Sequence, residues 1–217
     1  MKIYLLVIAL VLMTVLAPSS SATDSSQRHE VVSWTVLQGY WAINSTGLTG
    51  QGVSAEVVSS QTFASDRTVI FRMQTINTIG TGSTCCPYYT ARANGKYVDF
   101  SNKVFMDIWT NGIINLVIST STTYTNNGIQ TSLSPFDPHT VKMVFRGDNL
   151  KISIDGVGYW NITDSRIGAL GAARIALSSW GTSESSFGFP IVRNLDTHDC
   201  NADGQNSSQQ TNCGDSD

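Results

Sequence analysis

The chain has 217 residues, 41% of them apolar and 13% charged, with 18 glycines and 5 prolines. That apolar content suits one domain with a real core, and a charged fraction about half the ~25% of an average globular protein excludes coiled coil, long charged helix and charge-driven disorder. With 13 basic and 16 acidic residues the net charge is −3, so no basic field is present to hold nucleic acid.

Residues 1–22 read as a secretory signal peptide. Lys2 supplies the positive start, Ile3 to Leu16 form an uncharged apolar run, Pro18 breaks it, and Ser20-Ser21-Ala22 offers small residues for cleavage after Ala22. The alternative, an uncleaved anchor, is disfavoured because the run is shorter than the ~20 residues that cross a bilayer. Cleavage removes one lysine and leaves a net charge of −4. The mature protein is expected to be secreted, extracellular or at the cell surface, without a membrane span. Residues 23–32 read as a linker.

From Trp34 onward the chain alternates with a period of two, and helical periodicity is missing. The expected strands begin with Trp34–Leu37, Tyr40–Asn44, Ser54–Val58 and Thr68–Met73, in which Val69, Phe71 and Met73 share a face. Tyr88–Ala93, Lys103–Trp109, Ile113–Ser121, Val141–Arg146, Leu150–Ile154, Arg174–Ser178 and Phe187–Leu195 follow. Turn signals are read at Asn94-Gly95, Asn111-Gly112, Asn127-Gly128 and Asp155-Gly156, and a hairpin turn at Gly50–Ala55. Arg146-Gly-Asp-Asn149 joins its two flanking strands into a hairpin. More than ten short strands make the fold all-β, a two-sheet antiparallel β-sandwich or jelly roll over residues 33–196. Residues 197–217 turn to Asn, Ser, Gln, Gly and Asp and read as a polar tail.

The cysteines are Cys85, Cys86, Cys200 and Cys213. An even number in an exported chain favours disulfides over metal thiolates, and no C-x2-C spacing supports zinc. Three pairings are open. One staples the tail to the loop of Cys85 and Cys86, and another joins Cys200 to Cys213 with a strained ring between neighbours. Asn44, Asn161 and Asn206 each begin an N-glycosylation sequon, which suits export. In the tail, Asp199, Asn201 and Asp203 with Gly204 match half of a calcium loop. Its twelfth position is Gln210 where a bidentate glutamate belongs, so solvated tail is the competing reading. No other cofactor is expected.

Two motifs carry a resemblance. Ser33-Trp-Thr-Val-Leu-Gln-Gly-Tyr-Trp-Ala-Ile-Asn44 with Gly47-Leu48, and Pro138-His-Thr-Val-Lys-Met-Val-Phe-Arg-Gly-Asp-Asn-Leu-Lys-Ile-Ser-Ile-Asp-Gly156, resemble hairpins of the concanavalin A-like (laminin-G-like) jelly-roll superfamily. Phe189–Asn194 falls where those domains place the final strand. The resemblance implies a concanavalin A-like sandwich with Trp34 and Trp41 in its core. It does not choose among the lectins, adhesion modules, hydrolases and lyases of that superfamily.

The hydrolase branch carries an E-x-D-x-x-E strand, in keeping with the two nearby carboxyl groups that retaining glycosidases need. The three glutamates here, Glu30, Glu56 and Glu184, have no acidic residue two positions away, so that pattern is absent. A pair of aspartates on different strands stays open. No nucleophile elbow or phosphate loop occurs. His139 reads as a turn residue where a strand begins, and Trp160 and Trp180 lie near turns, where exposure is expected.

Binding has more support. Parity puts Phe105, Asp107 and Trp109 on one face of their strand, Asn115 on one face of the next, and Arg92 opposite Tyr89, Ala91 and Ala93. If these strands are neighbours, Arg92, Asp107, Trp109 and Asn115 form one concave surface, with an aromatic plate to stack a sugar and polar groups for its hydroxyls. The competing reading makes Trp109 core and Arg92–Asp107 a structural ion pair. The expected function is a secreted, non-catalytic glycan-binding or adhesion domain whose partner is an extracellular glycan or surface glycoprotein. The alternatives are a coat or fibre subunit that self-associates through sheet edges or faces, and a polysaccharide hydrolase or lyase.

Overall fold

The computed structural model describes residues 28–78 and 91–195. Its strands are β1 (Arg28–Glu30), β2 (Trp34–Ile43), β3 (Gly47–Ser59), β4 (Arg67–Thr78), β5 (Ala91–Tyr97), β6 (Lys103–Ile108), β7 (Ile113–Ser119), β8 (Tyr124–Gln130), β9 (His139–Arg146), β10 (Asn149–Ile154), β11 (Val157–Thr163), β12 (Arg174–Gly188) and β13 (Ile191–Asn194). A single short helix, α1 (Ser165–Ala169), is present among the described residues, started by the Asp164 side chain accepting the Arg166 N–H.

Every strand pair is antiparallel. Hydrogen bonds follow the order β11-β10-β9-β4-β12-β5-β6-β7-β8, with β13 and β1 beside β4, and β3 and β2 beside β12. The two expected layers are therefore parts of one continuous, strongly curled sheet. The long strand β12 links them. Its first half pairs with β5 and its second half with β4, while β3 follows it on the other side. The register of β12 against β3 breaks between Trp180 and Ser183. Gly181 there has φ +73°, and Gly52, opposite Ser183, has φ +135°. These are backbone conformations that glycine adopts without a Cβ penalty.

Alternating side chains of β5, β6 and β7 (Ala93, Met106, Leu116) join those of β4, β9 and β10 (Phe71, Met143, Phe145, Ile152) in one core between the layers. Gly95 marks the contact: a Cβ there would lie 2.5 Å from Met143 Sδ and 2.7 Å from Phe145. A buried cation cluster closes one end. Arg67 Nη1 donates to the carbonyls of Phe63 (3.0 Å), Ala64 (2.9 Å) and Ala173 (2.7 Å), and Nη2 to those of Gly95 (2.6 Å) and Arg174 (3.4 Å). Beside it Lys96 Nζ donates to Ile167 O at 2.9 Å and Ser65 Oγ at 3.1 Å. Burial, reinforced by the charge of Arg67, lowers the Lys96 pKa to about 8.

The Gly147-Asp148 turn joins β9 to β10 as expected, and Asp155-Gly156 (φ +51° and +84°) joins β10 to β11. Several expectations need correction. Asn94-Gly95 and Asn127-Gly128 are not turns but lie inside β5 and β8, and Gly50–Ala55 lies inside β3. Trp34 to Ile43 is one bulged strand rather than a hairpin. Gly39 at φ +76° makes the bulge against Ala55, which leaves no room for a Cβ. Arg28–Glu30, inside the segment read as a linker, already belongs to the sheet, because β1 pairs with β13. Trp160 is in β11 and only 9% exposed, packed in the main core. Trp34 and Trp41, which the resemblance puts in the core, are half-buried and pack against it. His139 is buried at the start of β9, between Asp155 Oδ2 (2.6 Å from Nδ1) and the Ser134 carbonyl (2.8 Å from Nε2).

Candidate functional site

The face of β5–β8 turned away from the core is built from cross-strand rows. Register aligns Glu56, Ser178, Arg92, Asp107, Asn115 and Gly128, one residue from each of six adjacent strands. A second row runs Ala176, Asn94, Phe105, Val117 and Asn126. The same alternation that sends Ala93, Met106 and Leu116 into the core sends these side chains to the opposite face. Gly128 is part of the arrangement, since a Cβ there would stand 3.1 Å from Asn115 Oδ1.

Above these rows lies a cleft of ≈450 Å³. Its floor carries Arg92, Asp107 and Asn115, and its aromatic lining is Phe100, Phe105, Trp109, Tyr124 and Trp180. Asp107 is 3% exposed, and its carboxylate is fully engaged. Oδ2 accepts from Arg92 Nη2 (2.9 Å) and Nε (3.2 Å), and Oδ1 accepts from Trp109 Nε1 (2.8 Å) and Asn115 Nδ2 (3.2 Å). The Arg92 guanidinium lies 3.9 Å from the Phe105 ring centre and 5.0 Å from that of Trp180. This paired, stacked network holds two indoles and a phenyl ring in fixed positions at the cleft surface.

The end of the cleft is shaped by turns. Asp99 Oδ1 accepts the backbone N–H groups of Ser101 (2.8 Å) and Asn102 (2.9 Å), which orders the turn that presents the exposed Phe100. The Asn102 amide bond and those N–H groups hold the Asp99 pKa below its ordinary value. Ser119 Oγ donates to Ser101 O at 2.7 Å, tying the β5–β6 and β7–β8 turns together. Partial burial raises the Tyr124 phenol above its ordinary value, and burial aided by Glu56 pushes that of Tyr97 up to about 12.

The structure thus brings Arg92, Asp107, Trp109 and Asn115 to one cleft, and it also makes Arg92–Asp107 a buried ion pair. Sequence reasoning missed Trp180, Tyr124 and Lys103 as lining residues. Lys103 shares parity with Asp107 and was within reach. Tyr124 was hidden because Asn126-Asn127-Gly128 reads as a turn. Trp180 arrives from a strand far away in the chain. Asn44 and Asn161 are exposed. Cys85, Cys86, Cys200, Cys213, Asn206, Asp199, Asn201 and Asp203 lie outside the described residues. Among the described residues no group of three or more His, Cys, Asp or Glu side chains is placed to hold a metal ion.

No family model matches the chain, and no curated protein matches its sequence. Solved structures do match its shape. The chain is similar to the carbohydrate-binding module CBM66 from Bacillus subtilis, with a TM-score of 0.62 at 17% identity over 76% of this chain and 97% of that one. The fold is a concanavalin A-like jelly roll. A β-glucanase from Bacillus licheniformis is also similar (TM-score 0.54, 12% identity, 80% of this chain and 100% of that one). So is the Crh5 transglycosylase (0.55, 13%, 79% and 85%). At these identities the likeness is one of fold, and a jelly roll of this kind hosts both carbohydrate-binding and carbohydrate-processing proteins.

Proposed function

We propose that this chain is a secreted, non-catalytic glycan-binding domain and that the cleft over β5–β8 is its binding face. The observation that carries the reading is the aromatic lining of the cleft around the Arg92–Asp107–Trp109–Asn115 network. Trp180, Tyr124 and Phe100 offer apolar surfaces on which sugar rings stack, and Asn126, Ser119 and Thr120 line the same cleft with groups for hydroxyls. The carbohydrate-binding module among the similar solved structures supports the same class of ligand. Against catalysis stands the occupancy of Asp107, the one acidic residue among those lining the cleft: three side chains already fill its oxygens. Glycosidic cleavage by a carboxylate pair asks for a second acid nearby. The signal peptide and the sequons at Asn44 and Asn161 support an extracellular setting.

Affinity electrophoresis through gels containing different polysaccharides tests this. The wild-type protein is expected to be retarded by at least one of them, without releasing reducing ends. Trp180→Ala is expected to abolish the retardation while keeping the β-rich circular dichroism spectrum. Retardation by none would overturn the reading, and release of reducing ends lost in Asp107→Asn would move the protein to the hydrolases.

A further inference from the structure

Lys103 stands apart from Arg92, the other cation lining the cleft. It opens β6, lines the cleft and is 6% exposed. Arg92 has Asp107 as its counter-ion, but the Lys103 ammonium makes no hydrogen bond and no ion pair to any described residue. Its neighbours are rings: Nζ lies 4.3 Å from the Phe100 ring centre and 5.7 Å from those of Tyr97 and Phe105. The charged groups that face it are Glu56, Arg92 and Asp99. Glu56 is already engaged by the Tyr97 hydroxyl (3.3 Å) and the Ser178 hydroxyl (3.4 Å), and Asp99 by its own turn. Burial lowers the Lys103 pKa, Arg92 adds to that shift, and the charges of Glu56 and Asp99 oppose it. A lysine held this way is costly in the empty protein, and a ligand anion supplies what the fold leaves out.

We propose that the glycan bound in this cleft is acidic, with one carboxylate or sulfate group of the sugar paired to Lys103 while its ring stacks on the neighbouring aromatics. The inference rests on the glycan-binding reading and narrows its ligand. Phe100 at the rim and Tyr124 across the cleft leave an apolar approach that strengthens a single charge–charge contact by excluding water. A neutral sugar would leave the ammonium as it stands in the empty protein.

The test compares wild type with Lys103→Met on three sets of polymers: polygalacturonate, alginate and hyaluronan as carboxylates, dextran sulfate as the sulfate, and dextran and laminarin as neutral controls. Wild type is expected to bind at least one acidic polymer more tightly than the neutral ones, with an affinity that falls as sodium chloride rises. Which acidic set binds identifies the anion. Lys103→Met is expected to weaken that binding about thirtyfold or more and to remove the salt dependence. Its melting temperature is expected to hold or rise, because a desolvated charge is removed. If the variant does not fold, the salt dependence and the acidic-to-neutral preference of the wild type still decide. Equal or tighter binding of neutral polymers would overturn this inference and leave the glycan-binding reading intact. Retention of acidic binding by Lys103→Met would do the same. Binding of no polymer would remove both.

Discussion

Arg92 and Asp107 face each other in register across β5 and β6, with Nη2 2.9 Å from Oδ2 and both side chains largely withdrawn from water. The pair is structural in its burial and functional in its place, since it fixes the floor on which the aromatic lining stands. Removing one partner leaves a buried charge alone. Asp107→Ala is expected to destabilise the fold by about 3–5 kcal/mol, measured as a lowered urea midpoint. Replacing both by apolar residues, Arg92→Met with Asp107→Leu, is expected to recover much of that loss. A double variant no more stable than Asp107→Ala would show that the network does more than neutralise a charge.

Trp109 and Trp180 are expected to respond differently to substitution. Trp109 donates its indole N–H to Asp107, so Trp109→Phe keeps most of the stacking area but loses a hydrogen bond to a charged group. A loss of about 1.5–3 kcal/mol in stability follows, with glycan retention preserved. Trp180→Ala is expected to lose retention instead, with a smaller change in denaturation midpoint. Reversal of these two patterns would exchange their roles.

Gly95 sits where the layers touch. Gly95→Ala drives a methyl group into Met143 and Phe145, and overpacking of this kind costs about 1–3 kcal/mol. Chemical denaturation reads the effect. A neutral substitution would mean that Met143, the more adaptable neighbour, moves aside.

Alkaline stability carries a signature of the buried lysines. Lys96 titrates near 8 in the folded protein and near 10.5 when unfolded. Between those values the unfolded chain binds more protons, so stability rises with pH across that window. Lys103, lowered in the same direction, adds to the rise. Tyr97 acts oppositely: its folded value of about 12 lies above the unfolded 10, so its contribution is lost as pH climbs from 10 to 12. Urea midpoints are expected to rise from pH 8 towards 10, with Tyr97 opposing any further rise above 10. Lys96→Met should flatten most of the rise, and a slope unchanged by that variant would remove Lys96 as its source.

Much of the fold was legible because its strands alternate cleanly. Val69, Phe71 and Met73 share a face as their parity requires, and the same parity put Asp107 and Trp109 together before any neighbour was known. The misread turns have a common physical source in glycine. Gly95, Gly52 and Gly128 are turn formers by composition, yet here they admit a facing layer, a break in strand register and the Asn115 side chain. β8 escaped notice because it is a sheet-edge strand with both faces mostly exposed, so it carries no apolar alternation. Trp180 joined the cleft through a long-range pairing between β12 and β5 that local patterning does not encode.

The claim that the β5–β8 face binds sugar is tested most directly by amide and indole chemical-shift mapping. The isotopically labelled protein would be titrated with an oligosaccharide of whichever polysaccharide retards it. Shifts are expected at Arg92, Phe105, Trp109, Asn115, Tyr124 and the indole of Trp180. Shifts gathered instead on β9–β11, with the cleft residues unmoved, would contradict the account.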